Sequence, residues 1–408
     1  MQALHERYGN VRRRTRQIFD LITPEAFDMR PIPLRHPLRF YEGHLASFNF
    51  GMLLQSGFAK NDPQPELTKL FARGIDPLGT SAADKLTIRQ WPERPRVADY
   101  IAGVDNEMTR AFEWEIDPIY LHTAVEHEEM HQETLMYLIH RVPYELKRKP
   151  ANVRSEHGKN LSSASWIQIE AGIAELGADP NEVPFGWDNE FPQMRAEVAA
   201  FEIASRKTSN CDFLKFVQGG GYDDERLWTE AGWKFIRASK IKAPPFWRHR
   251  DGEWFYEGLF ESMALPLEWP VYVSHIEALA FTRWCGCRLP SESEWHRAFE
   301  GAEAPKPERD NFDFVAWNPT QVSGRNGEFL QLAGNGWEWT STPFAGFPGF
   351  KPFAHYPGYS ADFFDGLHFV LKGASPVTPA ALVRRSFRNW FQDHYRYAYT
   401  AFRCARDF

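Results

Sequence analysis

The chain has 408 residues, 43% of them hydrophobic and 15% aromatic, and a formal charge of −7 from 47 basic and 54 acidic side chains. A weakly acidic chain of this kind argues against non-specific binding to nucleic acid or to an anionic membrane. Its length supplies enough apolar surface for two or three domains. The opening stretch, MQALHERYGNVRRRTRQ, lacks an apolar signal region, and Cys211, Cys285, Cys287 and Cys404 are too few for a disulfide scaffold. The expectation is a cytoplasmic protein with reduced thiols and no membrane span.

In chain order, four segments carry apolar residues at steps of three and four: TRQIFDLI (15–22), FYEGHLASFNFGMLL (40–54), VADYIAGVDNEMTRAF (97–112) and PIYLHTAVEHEEMHQETLMYLIHRV (118–142). Such steps predict amphipathic helices. Pro118 suits a first helical turn and Pro143 a helix end. The result is a four-helix bundle over residues 1–150, with a long Gly-, Pro- and Asp-containing loop over 60–95. The polar stretch NVRSEHGKNLSSAS reads as a linker, placed at 151–161. From 162 to 408 the pattern changes to short segments punctuated by Gly, Pro, Trp and Asn. There helices are expected only at CDFLKFVQGG, HIEALAFTRWCG and SESEWHRAF, within an irregular α+β domain.

The stretch HTAVEHEEMHQETL (122–135) holds three histidines and four carboxylates. Residues four apart share a helix face, so His127 and His131 stand together on the apolar stripe of Ala124, Leu135, Leu138 and Val142. Glu126, Glu129, Gln132 and Glu133 are expected to face away. His44, among Phe40, Tyr41, Leu45 and Phe48 on another helix, offers a third imidazole. Three neutral imidazoles suit a redox-active metal such as Fe(II) or a catalytic Zn²⁺. HEEMH also matches the zincin pattern His-Glu-x-x-His, in which Glu128 would be the general base of a hydrolase. The bland reading is a set of hydrogen-bonded core histidines. Cys285 and Cys287 form a Cys-x-Cys pair that lacks two further ligands, so they read as buried thiols.

Five segments of the second half occur in order: FGWDNEFPQMRAEVAAFEIASRKTSNCDFLKFVQGGGY, CRLPSESEWHRAF, LAGNGWEWTSTPF, VLKGASPVT and YTAFRCARDF. Together they resemble the formylglycine-generating-enzyme-like, or sulfatase-modifying-factor, domain with its C-type-lectin-like fold. Each also has a structural use: Ser291 and Glu294 can form a capping box, Trp337 and Trp339 can be core, and Arg403 and Arg406 can form ion pairs. A bundle carrying GHLASF and HEEMH resembles the DinB-like bundle. The two parts in this order resemble the ergothioneine and ovothiol sulfoxide synthases, the EgtB/OvoA family. The fold class is thus α + (α+β).

The resemblance implies a non-haem Fe(II) held by His44, His127 and His131, with O₂ as co-substrate. It implies C–S bond formation between a thiol donor, cysteine or γ-glutamylcysteine, and the imidazole C2 of hercynine, giving a sulfoxide on the way to ergothioneine. Tyr356 and Tyr395 are the candidate proton donors. Arg94, Trp339, Arg388, Asn389, Trp390 and Phe391 are candidate substrate contacts, the rings serving a trimethylammonium group. Two departures stand out. Phe391 occupies the place of an Asp that grips γ-glutamylcysteine in mycobacterial-type members, and Met130 stands where those members have Gln before the third ligand. An ovothiol- or selenoneine-type variant with a different donor, such as a selenol, or a different acceptor stays open. So do a zinc hydrolase and a non-catalytic binding protein.

Overall fold

The computed structural model describes residues 1–72, 91–151, 153, 164–300, 302–322, 329 and 331–408. Half of the expected loop over 60–95, residues 73–90, and most of the expected linker lie outside them; a short helix, Pro65–Phe71, occupies part of the rest of that loop. The chain forms two compact units. One is Met1–Pro150 together with Ala354–Tyr356; the other is Ala151–Phe353 with Pro357–Phe408.

The first unit contains α1 (Gln2–Phe19), α2 (Leu38–Gln55), the short α3 (Pro65–Phe71), α4 (Arg94–Ala111) and α5 (Pro118–Ile139). α2 packs against α3, α4 and α5, and α1 packs against α5. α1 begins well before the expected 15–22 segment. Its buried stripe of Leu4, Tyr8, Val11, Arg12, Thr15 and Ile18 has helical spacing, but polar members dilute it in the sequence. α5 starts as expected. Pro118 sits in the first turn, and the Asp117 carboxylate accepts from the Ile119 amide at 3.0 Å.

One expectation about α5 is overturned. Glu126, Glu129, Gln132 and Glu133 do not face solvent; all four are buried. α1 lies over that face and supplies partners. Arg7 bonds Glu126 at 3.2 Å and also holds Glu129. Arg12 bonds Glu128 and Asp105, each at 2.8 Å. The Gln132 amide donates to the Val11 carbonyl at 2.9 Å. Buried carboxylates are tolerated only when paired in this way. The apolar stripe of α5 was legible in its spacing; the cover over its polar side comes from basic residues on a distant helix.

The second unit is built on β8 (Gly336–Pro343), flanked by β9 (His368–Ala374) and β11 (Thr400–Ala401), with β10 (Asn389–Gln392) beyond β9. A second sheet has the order β1 (Trp166–Ile169), β4 (Phe201–Ala204), β12 (Ala405–Arg406). β2 (Gly172–Leu176) pairs with β3 (Met194–Val198), and β5 (Trp247–Arg250), β6 (Glu253–Glu257) and β7 (Ser262–Ala264) form a further antiparallel sheet. The helices are α6 (Asn210–Gln218), α7 (Glu230–Ala238), α8 (His275–Trp284) and α9 (Glu292–Phe299), with a four-residue turn at Pro307–Asp310. α7 was not expected from the sequence, because EAGWKFIRA is short and carries a glycine; Thr229 caps it by accepting from the Gly232 amide at 3.0 Å. The Ser291–Glu294 capping box forms as expected.

Deep in this unit Glu338 of β8 receives Lys207 at 2.7 Å and Arg403 at 2.9 Å, with all three side chains fully buried. Burial lowers the Lys207 pKa to about 8, against the opposing pull of Glu338. The triad joins β8 to the chain after β4 and to the C-terminal segment. Removing one member strands the others' charge in the core. Glu338→Ala is therefore expected to destabilise this unit by about 3–5 kcal/mol, read as a lower urea midpoint at unchanged m-value; a change within about 0.5 kcal/mol would show that the triad carries no stability.

Candidate metal centre

His44 projects from α2, and His127 and His131 project from successive turns of α5. Their ligand nitrogens lie within 4.8 Å of one another, and all three side chains are buried. The Nε2 atoms of His44 and His131 are 3.3 Å apart. Metal–imidazole bonds of about 2.0–2.1 Å place neighbouring ligand nitrogens roughly 3.0–3.4 Å apart, so the spacing fits one shared cation. The Nδ1 atoms of His127 and His131 have no hydrogen-bond partner among the described residues. The Nε2 atoms of His44 and His131, by contrast, face each other inside the buried cluster, where one shared cation satisfies both lone pairs. The donor set therefore fits a borderline divalent metal such as Fe(II) or Zn²⁺.

Burial pulls the His44 pKa down to about 4, with its bond to the Phe71 carbonyl as a partial offset. Burial also holds His127 and His131 well below the usual imidazole value, and neighbouring imidazoles add to the effect. All three are neutral near pH 7 and present lone pairs.

Their orientation is set by neighbours that sequence reasoning did not single out. His44 Nδ1 donates to the Phe71 carbonyl at 2.7 Å, which leaves Nε2 as the acceptor aimed at the cluster. Gly43 makes that bond feasible: a Cβ there would lie 2.4 Å from the Phe71 ring. The glycine of GHLASF thus lets α3 approach α2. Phe48, one helical turn after His44, stacks on His127 at 3.4 Å between centroids and 8° between planes. Its spacing of four from His44 was the available signal. His355 Nε2 lies 2.9 Å from the Thr123 hydroxyl on α5; nothing local in the sequence announces that contact.

Glu128 is not placed as a zincin base. Its carboxylate is fully buried against α1, where it accepts from Arg12 at 2.8 Å and from Thr15 at 2.6 Å. The third imidazole comes from α2 rather than from a point downstream of HEEMH.

The profile of the sulfatase-modifying factor enzyme 1-like domain matches residues 151–408. The chain belongs to this sulfatase-modifying-factor family. A protein named hercynine oxygenase from Mycolicibacterium thermoresistibile is 31% identical over 320 residues, covering 70% of this chain and 68% of the relative. One of the same name from Mycobacterium tuberculosis is 34% identical over 253 residues, covering 57% and 58%. Ergothioneine biosynthesis protein 1 of Neurospora crassa is 25% identical over 479 residues, covering 93% of this chain and 54% of its own. The chain thus spans little more than half the length of two of these relatives. No helix among the described residues is long and apolar enough to cross a membrane.

The remaining expected site residues of this family member fall in both units. In the first, Tyr356 packs edge-on to Phe48 at 5.2 Å, one ring removed from His127. Arg94 lies over the Phe27 ring and bonds Glu42 at 2.9 Å. In the second, Trp339 is fully buried and donates to the Val273 carbonyl at 2.9 Å, so it serves as core. Arg388 is 2% exposed. It binds both oxygens of Glu292, at 2.8 and 3.0 Å, and donates to the Asn189 and Ala345 carbonyls at 3.1 and 2.9 Å. That guanidinium is committed to the fold and not to a substrate. Trp390 is half-buried, stacked on Phe344 at 4.3 Å and walled by Tyr359 and Phe363 at 5.3 and 5.5 Å. Asn389 caps the neighbouring Trp390 amide at 2.9 Å. Phe391 stacks on Tyr395 at 4.6 Å.

Two outcomes test this geometry. Gly43→Ala gains helix propensity of roughly 1 kcal/mol but forces Phe71 to shift, so metal affinity should fall about 10–100-fold while the fold persists; unchanged affinity in a metal titration would show that the His44–Phe71 bond is idle. The imidazole pKa values are lowered on folding, so the metal-free protein keeps its full stability above the unfolded value of about 6.5 and loses it as pH falls towards 4. The loss from His44 alone should be roughly 3 kcal/mol. Thermal melts of the apo-protein across this window, compared with His44→Phe, provide the check.

Proposed function

We propose that the chain is a hercynine sulfoxide synthase that uses O₂ to join a thiol sulfur to the imidazole C2 of hercynine, with unit one as a DinB-like bundle holding Fe(II). The observation that carries this reading is the convergence of three neutral imidazoles from two helices, in a chain 31% identical to a hercynine oxygenase over 68% of that relative. When bound, the iron supplies O₂ activation and makes the thiol donor more acidic. A three-histidine set leaves coordination positions for small molecules.

The chain's own residues do the positioning. The Phe71 carbonyl fixes the His44 tautomer, and Phe48 fixes the plane of His127. Burial keeps protons off the imidazoles. Tyr356 is the better placed of the two candidate proton donors, since it shares the first unit with the histidines and packs on Phe48; Tyr395 is stacked on Phe391 in the second unit. Trp390, with Tyr359 and Phe363, offers aromatic faces of the kind that attract a trimethylammonium group. Phe391 in place of an Asp removes one anchor for a charged donor, which favours free cysteine over γ-glutamylcysteine. No polynucleotide or membrane partner is proposed, and the expected location is the cytoplasm.

Oxygen uptake by the Fe(II)-loaded chain with hercynine and cysteine, with products read by mass spectrometry, tests the reading. Uptake should require hercynine and should disappear in His44→Ala, His127→Ala and His131→Ala. Uptake independent of any imidazole substrate would sink it. Tyr356→Phe should lower kcat with little change in KM, by about 10²–10⁴-fold if the hydroxyl is the proton donor. Trp390→Ala should instead raise the KM for hercynine and leave that for cysteine unchanged.

A further inference from the structure

The three cysteines that do not belong to α6 converge. Cys285, Cys287 and Cys404 place their sulfurs within 4.8 Å of one another. Sequence reading left Cys285–x–Cys287 without partners and treated the thiols as buried. The structure corrects both points. Cys285 is exposed, and the third thiol arrives from the C-terminal segment, 117 residues beyond Cys287 in a chain where only Cys211 stands apart.

Main-chain bonds hold the three in place. Cys285 caps the C-terminus of α8, and Gly286 follows at φ +69°. The Gly286 amide donates to the Arg283 carbonyl at 3.3 Å and the Cys287 amide to the Thr282 carbonyl at 2.9 Å. These are the two bonds of a Schellman turn, which needs glycine for its left-handed residue. The turn folds the Cys-Gly-Cys segment back on itself and brings its sulfurs to 2.9 Å. That is longer than a disulfide bond of about 2.05 Å. Next in sequence, Arg288 pairs with Ala405 through reciprocal amide–carbonyl bonds of 2.9 and 2.8 Å, and this bridge sets Cys404 beside Cys287. The Cys404 carbonyl is itself bonded by the Ala204 amide at 2.9 Å.

We propose that Cys285, Cys287 and Cys404 form a second metal site, separate from the histidine centre, that takes one soft d¹⁰ cation through three thiolates. Bonds of about 2.3 Å from such a cation set the sulfurs near 3.7 Å apart, between the 2.9 Å of the Cys285–Cys287 pair and the 4.8 Å that bounds all three, so Cys285 and Cys287 open slightly on binding. Thiolates select soft cations such as Cu(I) and Zn²⁺ over Fe(II). The site lies at the carboxyl end of α8, where the helix dipole favours positive charge. One side is buried by Cys404 and the other is open at Cys285, which gives the cation an entry path. Binding exchanges thiol protons for the metal and releases them to solvent; no oxidant or reductant is consumed. The bound cation would clamp the C-terminal segment to the end of α8.

The test uses the full chain, reduced and freed of metal, titrated anaerobically with Cd²⁺ as a spectroscopic probe. A thiolate-to-cadmium charge-transfer band should grow and saturate at a single equivalent. Cys285→Ser and Cys287→Ser should each weaken binding by about tenfold or more, while Cys211→Ser and His44→Ala should leave the band unchanged. Cys285 is exposed, so its serine variant keeps the core intact. Competition by Zn²⁺ and by Cu(I) then identifies the preferred cation, and either displacing Cd²⁺ supports the site. The absence of a band, a band that persists in the Cys285→Ser/Cys287→Ser double variant, or a protein isolated as a disulfide that takes up no cation after reduction would overturn the proposal.

Discussion

The histidine centre depends on a buried ion pair beside it on the helix that carries two of its ligands. Arg12 of α1 bonds Glu128 of α5 at 2.8 Å, with both side chains almost wholly enclosed. Glu128 follows His127 directly, so its direction fixes that of the histidine, about 100° round the helix. A carboxylate in that position, left unpaired, would cost several kcal/mol and would rotate or unwind the helix towards water. Paired with Arg12 and bonded by Thr15, it anchors the polar face of α5 to α1. With Glu128 held there, His127 and His131 point about a quarter turn away, towards His44 of α2.

On the side facing α2 the fit is set by close approach rather than by charge. Gly43 admits the Phe71 ring, the Phe71 carbonyl receives His44, and Phe48 lies flat on His127. Each contact removes a degree of freedom from a ligand before a metal arrives, so less ordering entropy is lost on binding. The glycine and the phenylalanine of GHLASF are thus as much part of the centre as its histidine.

The second unit solves a different problem. It is rich in buried charge: Glu338 with Lys207 and Arg403, Glu292 with Arg388, Glu277 with Arg396. These pairs cross-link segments far apart in the chain, which suits a domain with short strands and little regular structure to hold it. Several residues that look like ligand contacts by type, Arg388 and Trp339 among them, are consumed by this framework. Trp390 is different: it stays half-buried at the edge of an aromatic cluster. The main-chain bridge between Arg288 and Ala405 draws Cys404 to α8 and assembles three thiols from the middle and the C-terminal end of the unit.

By itself the sequence determined the periodic features. The spacing of four between His127 and His131, the apolar stripe of α5, the Pro118 start and the Ser291 cap are local, and a helix of regular pitch converts them directly into structure. The ordered motifs of the second half likewise identified its family without coordinates. Only the tertiary structure decided which side of α5 was covered, because that depends on Arg7 and Arg12 more than a hundred residues away. It also decided that Arg388 is an internal strut and that Cys404 completes a thiol cluster. Such pairings are made by chain segments that meet only when the core closes, and no periodicity along the chain encodes them.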